Sequence, residues 1–209
     1  MRVTSLETEP RSGGVRVELD DAPFGTVSIA DVTALGLSLE RRLSEHEKAA
    51  LAYRAEVFSA RTVALTMLSS RALPSAEILR RLHGKGHPRP AAEEAAGALR
   101  EAGMIDDAEF ARHYARTRAV RQRFGTRRLL AELRRLGVND KVAEAAVKQA
   151  LEQDGVDESA VLREAAGKKA RTLQGLDPET AKRRLRSYLL RRGFKGGDLS
   201  QVVREALGR

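Results

Sequence analysis

The residues of this chain that could do chemistry are few, and their spacing points away from catalysis. Four histidines, at 46, 83, 87 and 113, stand beside no cysteine. That leaves no thiolate nucleophile and no sulfur ligand for zinc or an iron–sulfur cluster. His83 and His87 are four apart, the spacing that puts two ligands on one helix face, but Gly84 and Gly86 lie between them and break that face. Gly84-Lys85-Gly86 lacks the strand, the further glycines and the Lys-Ser/Thr pair of a phosphate loop. Asp106-Asp107 offers two carboxylates for acid–base or Mg²⁺ work. A helix start explains them more simply, the first capping free N–H groups and the second favouring the helix dipole. The reading is of a protein that binds without catalysing and needs no metal or cofactor.

What the chain offers for binding is arginine. There are 30 Arg against 8 Lys, and the formal net charge is +9. The charge is gathered rather than spread. Residues 112–135 hold nine arginines against one acid, Glu132, and residues 159–209 hold thirteen basic against five acidic residues, with a net acidic stretch between them. The candidate contact residues are Arg112, Arg116, Arg123, Arg127, Arg128 and Arg134 in the first cluster, and Lys182, Arg183, Arg191 and Arg192 in the second. A guanidinium fork binds phosphate or carboxylate bidentately, so either a nucleic-acid backbone or an acidic protein surface suits such a face. Phosphate contacts position a protein without reading bases. Aromatics make up only 4% of the chain, and Phe110, Tyr114, Tyr188 and Phe194, with Leu129 and Leu133, are expected in the core, which argues against base stacking.

Residues 1–43 should form a β-hairpin extension: Val15, Val17 and Leu19 alternate with charged residues, Asp20-Asp21-Ala22-Pro23 reads as a turn, and Phe24, Val27 and Ile29 follow. From Ser44 onward the pattern is of short helices. Ser44 with Glu47 and Asp106 with Glu109 fit capping boxes, Asp177-Pro178 an acidic cap before a first-turn proline, and Asn139 and Asp198 further caps. Breaks fall at residues 84–88, Gly103, Gly137, Gln153-Asp154-Gly155 and Gly193 to Gly197. No stretch is apolar enough to span a membrane and no signal-peptide core is present, so a cytoplasmic, monomeric protein is the expectation.

A weak internal repeat organises the helices. Gly86, Gly137 and Gly193 are each preceded by eight residues by Ile78, Leu129 or Leu185, and by four by Leu82, Leu133 or Leu189. His87, Val138 or Phe194 follows, and then a new amphipathic run. That spacing puts two aliphatics on one helix face and ends the helix at a left-handed glycine. The expected architecture is all-α, three tandem three-helix repeats at 44–104, 105–152 and 153–209, sharing cores by stacking.

The run Gly103-Met104-Ile105-Asp106-Asp107 with Phe110-Ala111, Tyr114 and Arg118 resembles the central signature of the RecX family of recombination regulators. Phe124-Gly125, Leu129, Glu132-Leu133 and Gly137-Val138 continue the likeness. Tyr188 to Phe194 is similar to the family's closing motif, and Ser70-Arg71 with Glu77 to Leu82 to its opening helices. The resemblance covers residues 48–207; the stretches Leu73-Pro74-Ser75 and His87 to Pro90 depart from it. It implies an elongated, curved stack of repeats that binds the RecA recombinase filament, and single- and double-stranded DNA through the backbone. It further implies negative regulation of RecA ATPase, strand exchange and co-protease functions. The rival reading is a basic helical DNA-binding protein with no dedicated protein partner.

Overall fold

The computed structural model describes residues 1–10, 12–152, 157–196 and 198–208. They divide into two compact units, Met1–Ile105 and Asp106–Arg209.

In the first unit, three strands, β1 (Val3–Glu9), β2 (Gly14–Leu19) and β3 (Ala22–Ser28), form an antiparallel sheet in the order β1-β2-β3. The expected hairpin is present as β2 and β3, closed by Asp20 and Asp21 at φ 50° and 65° between the paired residues Leu19 and Ala22. Two left-handed residues give the turn a twist that matches the strands. Strand β1 goes beyond the expectation. Of its seven residues only Val3 is buried, so its alternation is weak. Ile29 leaves the sheet to begin α1 (Ile29–Ala34), which Ser28 and Asp31 cap reciprocally.

Three helices follow: α2 (Glu45–Ser70), α3 (Ser75–Gly84) and α4 (Arg89–Glu101). Helix α2 carries the Ser44–Glu47 capping box and serves two cores. Its Leu51 joins Val3, Val17, Leu19 and Val27 under the sheet. Ala60 and Ala64, farther along, join Ile78, Leu82 and the alanines of α4. Small residues set this packing: a Cβ at Gly14 would lie 2.4 Å from the Phe58 ring, and one at Gly25 would lie 2.9 Å from the Ala55 methyl. The buried Asp31 accepts 2.5 Å from Arg54 Nε, and Arg54 also pairs with Glu94 of α4. Burial alone would raise the Asp31 pKa, but its bonds from Ser28 and Arg54 outweigh that and hold it below the ordinary value.

The second unit is helical throughout: α5 (Asp107–Gln122), α6 (Thr126–Arg135), α7 (Asp140–Glu152), α8 (Glu158–Arg171), α9 (Pro178–Arg191) and α10 (Asp198–Ala206). These are two three-helix repeats, each with its own core. Ala111, Ala115 and Ala119 give α5 a small-residue stripe that packs with Ala143, Ala146 and Ala150 of α7 in the same core. Asp106 and Asp177 cap as expected, and the Asn139 side chain accepts from the Lys141 N–H. Asp106 caps without closing a box, because Glu109 turns to Arg112. Asp198 is the first residue of α10 rather than its cap. The break at Gln153-Asp154-Gly155 lies outside the described residues.

The repeat seen in the sequence has one structural cause, the same helix terminus built three times. Gly86, Gly137 and Gly193 have φ of 92°, 83° and 89°. Their N–H groups donate to His83, Arg134 and Leu190, and the next residues, His87, Val138 and Phe194, donate to Leu82, Leu133 and Leu189. This is the Schellman arrangement, which satisfies the last carbonyls of each helix and folds the following residue back over it. The aliphatic pairs Ile78/Leu82, Leu129/Leu133 and Leu185/Leu189 are all fully buried, as are Val138 and Phe194 to within a few per cent. Phe110, Tyr114 and Tyr188 are half-buried at the core margins rather than inside, with the Tyr114 hydroxyl 2.7 Å from Glu132.

Leu133→Ala and Leu189→Ala should each cost about 2–5 kcal/mol, the range for emptying a closed leucine site. Urea unfolding monitored by circular dichroism reads this as a lowered midpoint.

Candidate functional site

Within the second unit the two repeats meet through the turn between α5 and α6 and the end of α9. The Gly125 N–H donates 2.8 Å to the Arg192 carbonyl, and the Arg192 guanidinium donates back to the Gln122 carbonyl. The backbones are so close that a Cβ on Gly125 would lie 2.8 Å from the Gly193 carbonyl carbon, and one on Gly193 would lie 2.3 Å from the Arg128 nitrogen. Glu158, at the start of α8, accepts from both the N–H and hydroxyl of Thr126 at 2.8 Å. Gly125 has no side chain to cap α6, so the other repeat supplies the cap.

Arginines wrap this junction. Phe124 is buried, with Arg128 Cζ 3.8 Å from its ring centroid and Arg192 Cζ 5.6 Å away. Arg192 also lies 4.8 Å from the Tyr188 centroid, and Lys169 Nζ 5.6 Å from it. Each such contact contributes on the order of 0.5–2 kcal/mol, more as water is excluded. Arg128 further donates to Glu132 and to the Arg191 carbonyl, both at 3.2 Å. Arg123 ends α5 in a left-handed conformation and pairs with Glu164 of α8. Their hydrogen bond, joined by the attraction of Arg123 and Lys168, holds the Glu164 carboxyl below its ordinary pKa.

The structure therefore separates the sequence-nominated cations into groups. Arg123, Arg128 and Arg192 come together at the junction, where they hold the repeats. Arg112 is paired with Glu109 at 2.8 Å, and Arg134 with Asp140 at 2.7 Å and Glu144 at 3.6 Å. Lys182 lies 3.7 Å from Glu179, and Arg183 is 3.4 Å from the Thr180 hydroxyl. These surface pairs are worth little and give way readily to a stronger partner. Arg116, Arg127 and Arg191 are exposed. Sequence reasoning missed Glu158, Glu164 and the role of Gly125; the signal was the mirrored pairs Phe124-Gly125 and Gly193-Phe194, a small residue beside a large one on each side of a close contact.

His83 is exposed, whereas His87 is turned to Glu56 at 3.3 Å. Among the described residues no group of three or more His, Asp or Glu could hold a metal, and no helix is long and apolar enough to cross a membrane. Models of the second and third three-helix domains of RecX match residues 106–147 and 157–203. The regulatory protein RecX of Amycolatopsis mediterranei is 36% identical over 148 residues, covering 71% of this chain and 83% of its own. This chain belongs to the RecX family. The RecX of Streptomyces coelicolor is 32% identical over 154 residues, covering 74% and 80% of the two chains. A crystal structure of a regulatory protein RecX superposes with a TM-score of 0.77 at 22% identity over 99% of this chain and 98% of the other, a likeness of fold.

Gly193→Ala should destabilise far more than Gly86→Ala. Both force a left-handed residue, at about 1–2 kcal/mol, but Gly86 faces open space whereas Gly193 abuts the α6 backbone. Urea midpoints of the two variants check this. The Glu164 pair should be at full strength at neutral pH. Because the folded pKa is depressed, its stabilisation is lost as pH falls below the ordinary carboxylate range. Glu164→Gln should flatten that part of a plot of urea midpoint against pH.

Proposed function

We propose that this protein is a negative regulator of the RecA recombinase, binding the RecA–DNA filament and restraining its ATPase, strand exchange and co-protease functions. Membership of the RecX family carries this reading. The three repeats are taken as 44–104, 105–152 and 153–209, and the extension at 1–43 as a separate addition. The exposed cations Arg116, Arg127, Arg191, Lys182 and Arg183 are the proposed contacts to acidic filament surface or to phosphate, joined by Arg112 and Arg134 as their weak surface pairs open. Arg123, Arg128 and Arg192 support that surface from within. A regulator of this kind need only occupy a few subunit interfaces to act on a long polymer, and its long-range steering weakens as salt screens charge.

The rival, a basic helical protein acting on DNA alone, is separated by one titration. The DNA-dependent ATPase of RecA from the same organism is measured while this protein is added, with bare DNA binding followed in parallel. The expected result is inhibition well below one copy per RecA under conditions where DNA affinity is weak. Inhibition that merely tracks competition for DNA supports the rival. Arg127→Glu with Arg191→Glu should weaken inhibition about tenfold or more, and more so at low salt, as loss of two steering charges predicts. Unchanged inhibition in that folded variant removes this surface from the mechanism.

A further inference from the structure

A cleft of about 370 Å³ opens at the repeat junction, lined by Arg121, Arg123, Arg128, Lys168, Arg192 and Tyr188. With Gln122 and Phe124 the lining comes to eight residues, of which five are cations. The carboxylates that meet them are Glu164, shared between Arg123 and Lys168 at the edge, and Glu132 on Arg128. The Lys168 contact is long, 4.0 Å, and both Lys168 and Arg121 are exposed. Arg192 carries its charge into the cleft held by the Gln122 carbonyl and by two ring faces. Cations outnumber anions in a concave polar site walled by Phe124 and Tyr188, which strengthens the field at its centre.

Two features define what fits. Phe124 is buried, and cations already lie over both rings, Arg128 and Arg192 at Phe124 and Arg192 and Lys169 at Tyr188, which disfavours base stacking there. The cations that remain free to reorganise, Arg121 and Lys168, stand on opposite repeats, α5 and α8, and a single multidentate anion would bridge them. We propose that this cleft is a phosphate site that accepts the phosphodiester of a single strand or a free oligophosphate without regard to base. The proposal deepens the regulatory reading above by giving the protein a defined phosphate grip, but it does not depend on RecA.

The test uses the full chain and two probes, tripolyphosphate and a fluorescent oligothymidylate, with an abasic strand of equal length. The variant is Arg121→Glu with Lys168→Glu. The control is Lys141→Glu with Lys148→Glu on α7, an equal change of charge elsewhere. The expected result is that the cleft variant loses about tenfold in affinity and its salt dependence flattens by a slope of about 1–2, while the control stays near the parent. The abasic strand should bind like the thymidylate, and tripolyphosphate should compete with both. Binding of tripolyphosphate but not of either strand supports the site and names free oligophosphate as its source. Equal losses in cleft variant and control, or a strong preference for the strand with bases, overturns the proposal. Unfolding midpoints accompany each variant, and if the double reversal fails to fold, Arg121→Gln alone carries the comparison. RecA ATPase inhibition, measured on the same variants, keeps the two readings apart: inhibition that survives loss of phosphate binding leaves the regulatory reading standing, and phosphate binding without inhibition leaves the cleft standing.

Discussion

The second unit depends on a backbone contact that only glycine permits. Gly125 and Gly193 approach so closely that either methyl would strike main-chain atoms of the other repeat, and one hydrogen bond, from Gly125 to the Arg192 carbonyl, is made at the point of contact. Each repeat completes polar ends of the other there. Helix α6 takes its cap from Glu158 of the next repeat, and the last carbonyls of α5 and α9 take guanidinium donors from across the seam. Buried or half-buried backbone groups without partners are costly. Loss of any one of these partners while the seam stays closed would strand a polar group, so the seam holds the two alanine- and leucine-lined cores in one arrangement.

This constraint explains why the arginine clusters do two kinds of work. An arginine near a helix end can satisfy carbonyls, cover an aromatic face with its planar head and still leave charge at the surface. Arg128 and Arg192 do all three. Lysine has no planar head to lay on a ring and no fork for two carbonyl acceptors, so the richness in arginine has a structural reason beside its suitability for anionic partners. Arg116, Arg127 and Arg191, by contrast, are exposed.

The first unit solves a related problem differently. One long helix, α2, spans a sheet core and a helical core, and the Asp31–Arg54–Glu94 chain ties the elements on its two sides. A buried carboxylate is tolerable there because its charge is met by a capping hydroxyl and a guanidinium.

Much of the architecture was legible in the chain itself. The glycine anchors with aliphatics eight and four residues before them mark three Schellman termini here, because a glycine closing a helix makes that turn through local backbone chemistry. The caps at Ser44, Asp106 and Asp177 are local in the same sense, as is the turn at Asp20-Asp21. Strand β1 was hidden because an edge strand with one deeply buried residue has little alternation to read. The sorting of arginines into structural and exposed was hidden for a different reason. Whether Arg123 meets solvent or Glu164 depends on a residue 41 positions away, and Arg192 on a carbonyl 70 positions away. Sequence determines which side chains carry charge and how each helix ends; only folding decides which charges are spent on holding the repeats, because distant chain segments must first be brought within bonding distance.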